Sequence, residues 1–175
     1  TSEFALPSLK RLSQSYPIKA VWTLPARPKG RHLKPQDTVV ATLGKELGLL
    51  VFEQENIPSE MLKEADLLIT VAFGRILKKG VITAPRLGSI NLHPSLLPKY
   101  RGPAPIPWAI IQGEKETGLT TYWMNEEVDS GLIILQERVA ISEEDDAGSL
   151  SSKLAEIGAG VLLKAIEMLE NTSEE

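Results

Sequence analysis

The chain has 175 residues, 42% of them hydrophobic and 24% charged, which suits one globular domain with a real core. Its 19 Lys and Arg against 23 Asp and Glu leave a net charge of −4, which excludes a polycation, so a nucleic-acid partner has to be met by a local basic patch or by another domain. The lack of cysteine excludes disulfides and thiolate metal sites, two histidines argue against a multi-histidine metal centre, and no apolar run approaches the roughly 18 residues of a membrane span.

The opening stretch TSEFALPSLKRLSQS places Phe4, Leu9 and Leu12 at helical spacing, with Thr1 or Ser2 as a cap and Pro7 awkwardly placed. A helix is an unusual first element for an α/β domain, because its partner strand ordinarily precedes it. A strand upstream of Thr1 is therefore expected, with a true start at Thr1 as the competing reading. IKAVWTL (18–24) reads as a strand. PARPKGRHLKP (25–35) reads as a loop, with three prolines and five basic or His positions. DTVVATLGKELG (37–48) has an Asp start, a periodic apolar set and a Gly stop, and predicts a helix. LLVFE (49–53) predicts a short strand and IPSEMLKEA a short helix.

ADLLITVAF (65–73) is a continuous apolar run, the mark of a parallel strand buried on both faces. After a loop with one helical turn, GSINLH (88–93) predicts the next buried strand. PAPIPWAIIQGE predicts a helix entered on proline and left at Gly113. LTTYWMNE and LIILQERVAI predict two strands, antiparallel because only EVDSG (127–131) joins them. In the tail, Leu150, Leu154, Ile157, Val161, Ala165 and Leu169 step along one helical face. The fold class is α/β: a Rossmann-like, open, twisted, mostly parallel sheet with helices on both faces.

Ligands of such sheets bind outside the carboxyl ends of the strands. His93 ends GSINLH and Asn91 lies two residues earlier, on the same face of the strand. Asp129, in EVDSG, could close on both. An Asn amide can donate to an oxygen that turns negative in a tetrahedral intermediate, a His can polarise that oxygen or handle a proton, and a carboxylate beside it can relay protons. The trio holds no side-chain nucleophile, so direct attack by a substrate amine or by water on a small acyl carbon is the reaction expected. Each member also has a plain structural reading: a satisfied His at a strand end, an Asn bonded to a loop, an Asp in a turn.

The run NLHPSLLPKYRGPAPIPWAI, followed by VDSGLIILQ, closely resembles the folate-dependent formyltransferases, and the resemblance spans essentially the whole chain. It implies transfer of a formyl group from 10-formyltetrahydrofolate to an amine, without a metal. Asn91, His93 and Asp129 would be catalytic. The segment VAFGRIL, with Phe73, Arg75, Ile76 and Leu77, would line the pterin slot together with Val128. Ser95, Leu96, Leu97 and Pro98 would lie along the folate.

The loop ARPKGRHLKP resembles the one with which the methionyl-tRNA branch of the family enters the acceptor end of initiator tRNA, so Arg27, Lys29, Arg31 and Lys34 would meet tRNA. From charge alone the same loop reads as a solvated basic turn. Ala26 stands where that branch has Asp, and HPSLLPKY and Arg75 resemble the purine branch. Transfer to glycinamide ribonucleotide or an amino sugar, or hydrolysis of the folate, is thus the alternative. A folate-binding module with a decayed site is the non-enzymatic one. The resemblance also implies that residues 1–175 are a catalytic domain lacking its first strand and a C-terminal β-barrel domain that helps hold tRNA. A monomer is expected, away from membranes, in the bacterial cytosol or an organellar matrix.

Overall fold

The structure, a computed structural model, describes residues 2–29 and 34–172; the side chains of residues 27–29, 34 and 172 lie outside that description. After a 3-10 turn at Glu3–Ala5, helix α1 (Leu6–Ser15) begins. Pro7 falls in its first turn, where the missing N–H has no intrahelical partner to lose, so it neither kinks nor breaks the helix. Ser2 caps the 3-10 turn without a side-chain bond. Phe4, Leu9 and Leu12 are buried, as their spacing predicts.

Strand β1 (Val21–Thr23) is shorter than predicted and pairs in parallel with β4 (Val51–Glu53), Trp22 stacking on Phe52 with ring centroids 5.0 Å apart. The stretch read as a loop is partly a two-stranded antiparallel ribbon of β2 (Arg27–Lys29) and β3 (Lys34–Gln36), Pro28 facing Pro35. Prolines are tolerated there because the ribbon has open edges. Helix α2 (Val39–Glu46) is capped by Thr38, whose hydroxyl accepts from the Ala41 N–H, rather than by Asp37. IPSEMLKEA forms a 3-10 turn at Ser59–Leu62.

The second sheet runs β5 (Leu68–Val71), β6 (Ser89–His93), β7 (Glu116–Trp123), β8 (Ile133–Ala140). β5 and β6 are parallel, and the β6–β7 and β7–β8 pairs are antiparallel, so the sheet is mixed; the short link between β7 and β8 accounts for the last pair. Helix α3 (Lys79–Ile82) and the 3-10 turn pack with Leu24, Phe73 and Leu77 on one face. Helices α4 (Pro105–Ile111) and α5 (Ala147–Thr172) cover the other, where Leu92, Leu119, Leu150 and Leu154 form the main core. Among the described residues no helix is long and apolar enough to cross a membrane.

β5 departs from expectation. All four of its residues are half-buried, whereas β6 is mostly buried. Among the described residues, β1 and β5 each have a strand partner on one edge only. A cavity of about 380 Å³ is lined by residues of both strands, Val21, Trp22, Ile69 and Val71 among them, and by Ser8 and Leu12 of α1. Ser8 Oγ and Trp22 Nε1 are buried without a hydrogen-bond partner.

Candidate active site

β6 carries the site because its residues alternate. Ile90 and Leu92 point into the core under α5, and Asn91 and His93 take the opposite face. Asn91 lies opposite Thr70 of β5 and Tyr122 of β7, and His93 lies opposite Thr120. The amide Nδ2 of Asn91 donates to the Tyr122 hydroxyl at 3.1 Å. That hydroxyl donates in turn to Asp129 Oδ1 at 2.6 Å. The second carboxylate oxygen of Asp129 accepts the Gly102 N–H at 2.7 Å and faces His93 Nδ1 at 3.4 Å. His93 Nε2 lies 2.9 Å from the Tyr100 carbonyl oxygen. Each ring nitrogen therefore faces an acceptor, and a neutral ring can donate to only one of them.

The structure thus brings Asn91, His93 and Asp129 together, as the sequence predicts, and adds Tyr122 as the link. Burial pushes the Tyr122 phenol well above its ordinary range, and the Asp129 carboxylate that accepts its proton pushes it further. The phenol therefore stays protonated and acts as a donor. Sequence reasoning missed it because the pairing of Tyr122 with Asn91 depends on the β6–β7 register. Its parity with Thr120 along the strand was the available signal.

Strained backbone surrounds the cluster. Ala72, just past β5, has φ 47°, Tyr100 has φ 55° and Asp129 has φ 49°, all in the left-handed region that non-glycine residues avoid. At Gly131 a Cβ would run into the Trp123 carbonyl oxygen, so this loop closes on glycine alone. Tyr100 is clamped from outside: its hydroxyl donates to Glu114 at 2.8 Å, and Lys99 Nζ reaches the same carboxylate at 3.0 Å. The Tyr100 hydrogen bond, then Lys99, hold the Glu114 carboxyl below its usual range.

The residues expected along the folate divide in two. Ile76, Pro98 and Val128 are exposed, Ile76 at 80%. Arg75 is exposed and paired with Glu55 at 2.7 Å. Phe73 and Leu77 are buried in the core beneath α3. Ser95 is buried and donates to the Lys99 carbonyl at 2.6 Å, closing its own loop. Leu97 is buried; its N–H donates to Thr120 Oγ1 at 3.2 Å and its carbonyl accepts from Gln136 Nε2 at 2.9 Å. Leu96 sits against Gly118, where a Cβ would collide with it. Phe73, Leu77, Ser95 and Leu97 are thus buried, whereas Arg75, Ile76, Pro98 and Val128 are exposed. Arg27, Lys29 and Lys34 lie on the β2–β3 ribbon, and Arg31 lies outside the described residues.

Residues 4–166 match the family model described as formyl transferase. The chain is 44% identical to a methionyl-tRNA formyltransferase of Caldanaerobacter subterraneus, with 97% of this chain and 58% of the relative covered. It is 45% identical to the one of Pelotomaculum thermopropionicum, with 97% and 56% covered, so it spans less than three fifths of either relative. Among solved structures, a phosphoribosylglycinamide formyltransferase of Streptococcus pneumoniae superposes with a TM-score of 0.79 at 22% identity, covering 97% of this chain and 95% of that one. A sugar 3N-formyl transferase, solved in the presence of dTDP and 5-N-formyl-THF, gives 0.75 at 22%, covering 98% and 61%. These likenesses establish the α/β fold, and the match over residues 4–166 establishes the lineage: the chain belongs to the formyl transferase family.

Proposed function

We propose that the parent protein transfers a formyl group from 10-formyltetrahydrofolate to the amino group of methionyl initiator tRNA. The observation that carries this reading is the hydrogen-bonded chain Asn91–Tyr122–Asp129 at the carboxyl end of β6, with His93 Nδ1 3.4 Å from the Asp129 carboxylate. The names of the relatives over 40% identical support the acceptor. A flat, partly apolar donor would find apolar surface on Ile76, Pro98 and Val128, which are exposed.

The folate supplies a formyl carbon attached to a nitrogen leaving group. Asn91 Nδ2 carries two N–H groups and gives one to Tyr122; the other would donate to the formyl oxygen as it becomes negative. His93, its Nε2 donating to the Tyr100 carbonyl, would take a proton at Nδ1 beside that oxygen and become an imidazolium facing Asp129. Asp129, anchored by Gly102 and Tyr122, would help remove the proton that the attacking amine must lose. Arg27, Lys29 and Lys34 of the β2–β3 ribbon, with Arg31 between them in sequence, would meet phosphates or base edges.

The domain organisation belongs to the same reading. The cavity between β1 and β5 would seat one more strand of the parent chain. Its support is the pair of one-sided strands, the half-burial of β5 and the unpartnered Ser8 Oγ and Trp22 Nε1, all of which a strand backbone would satisfy. A C-terminal domain would then share the tRNA, because a chain of net charge −4 with one basic ribbon neutralises few phosphates.

The test is formyl transfer by the full-length parent protein from 10-formyltetrahydrofolate to methionyl initiator tRNA, wild type against Arg31→Ala. Strong transfer, cut sharply by the substitution, fits both chemistry and partner. Folate binding without transfer to tRNA would redirect the reading to glycinamide ribonucleotide and amino sugars.

A further inference from the structure

The Tyr122 phenol occupies a position that the three predicted catalytic residues leave unexplained. We infer that Tyr122 is a positioning residue for the reaction: it fixes which way the Asn91 amide points and ties that amide to the Asp129 carboxylate. The inference rests on the formyl-transfer reading for its kinetic consequence and on geometry for the rest.

An ionised carboxylate can only accept, so the Tyr122 proton goes to Asp129 Oδ1, at 2.6 Å. The phenol oxygen then presents a lone pair, and it meets Asn91 Nδ2 at 3.1 Å. A flipped amide would turn its carbonyl oxygen onto that lone pair with no proton between them. The amide is therefore held with its nitrogen toward the phenol, which leaves the second Nδ2 proton in one defined direction. The arrangement is stiff because Tyr122 is 3% exposed and lies directly across the β6–β7 ladder from Asn91. It also holds the left-handed Asp129 loop from one side, while the Gly102 N–H holds it from the other.

A phenol that merely filled the core would matter to stability and not to the amide. Tyr122→Phe in the full-length parent protein separates the two. The expected result is a fall in kcat of about tenfold or more, with KM for folate and tRNA within about threefold of wild type, because the lost feature is alignment of a transition-state donor. In an Asn91→Ala background the same substitution is expected to cost little further, the signature of two groups acting as one.

A second readout needs no turnover. The side-chain amide signals of Asn91, identified in an ¹⁵N spectrum by their loss in Asn91→Ala, are expected to shift and to exchange faster in Tyr122→Phe. Unchanged kcat, or full additivity with Asn91→Ala, overturns the inference. If the wild type transfers no formyl group to tRNA, the functional reading fails instead. The amide signals then decide alone: left unmoved by Tyr122→Phe, they overturn the inference.

Discussion

β5 and β6 are neighbouring parallel strands of similar apolar character, yet they have different lives. β6 is flanked by β5 and β7 and lies under α5; Ile90 and Leu92 are almost fully buried, and its opposite face carries Asn91 and His93. β5 shares that ladder on one edge and borders the cavity on the other, and all its residues stay half-buried. A strand's burial is a property of its neighbours, and its own sequence reports only that it can tolerate being enclosed. The more deeply packed half of the molecule, β6 to β8 with α5, is also the half that carries Asn91 and His93.

The comparison can be broken hardest at the chemistry. Asn91→Ala and His93→Ala in the full-length protein should each lower the transfer rate by about a hundredfold or more, with folate binding retained in a direct titration. Near-normal rates in both would detach the site from β6. Next comes packing. Leu119→Ala, at a fully buried position in the main core, should cost about 2–5 kcal/mol in urea unfolding, against about 1–2 kcal/mol for Ile69→Ala on β5. Equal costs would mean that β5 is enclosed in solution.

Hydrogen exchange sharpens the same point: alternate amides of Leu68–Val71 should exchange faster than those of Ser89–His93, because β5 has a strand partner on one edge only among the described residues.

The smallest effect is a slope in pH. The Tyr122 phenol is raised above its ordinary value of 10.0 in the folded chain, so above about pH 10 the unfolded chain loses a proton that the folded chain keeps. Stability from this group is full below that pH and declines as pH rises beyond it. Tyr122→Phe should flatten the alkaline decline of the melting temperature.

Much of this was legible in the residues. The Asn-x-His alternation at a strand end, the link EVDSG and the long apolar stripe of the last helix each fix a local geometry, and all three appear as read. What escaped depends on pairing across distance. The link from Asn91 to Tyr122 needs a register between strands some thirty residues apart, which no local pattern encodes. The half-burial of β5 follows from its having a strand partner on one edge only among the described residues, which its own apolar run does not report. The paired strands Arg27–Lys29 and Lys34–Gln36 read as a loop because their prolines exclude a central strand but not an edge pair. Pro7 looked disruptive until the helix start was placed one residue before it.

The two sides of the His93 ring differ in one more respect. Its Nε2 rests on a carbonyl of the main chain at Tyr100, and no substitution can delete a main-chain carbonyl. Its Nδ1 faces the side chain of Asp129, which a single codon change removes. Random mutagenesis should therefore find the histidine easy to disconnect from its carboxylate and hard to turn loose in its socket. Variants lost at residue 129 would keep an imidazole oriented from its Nε2 side alone.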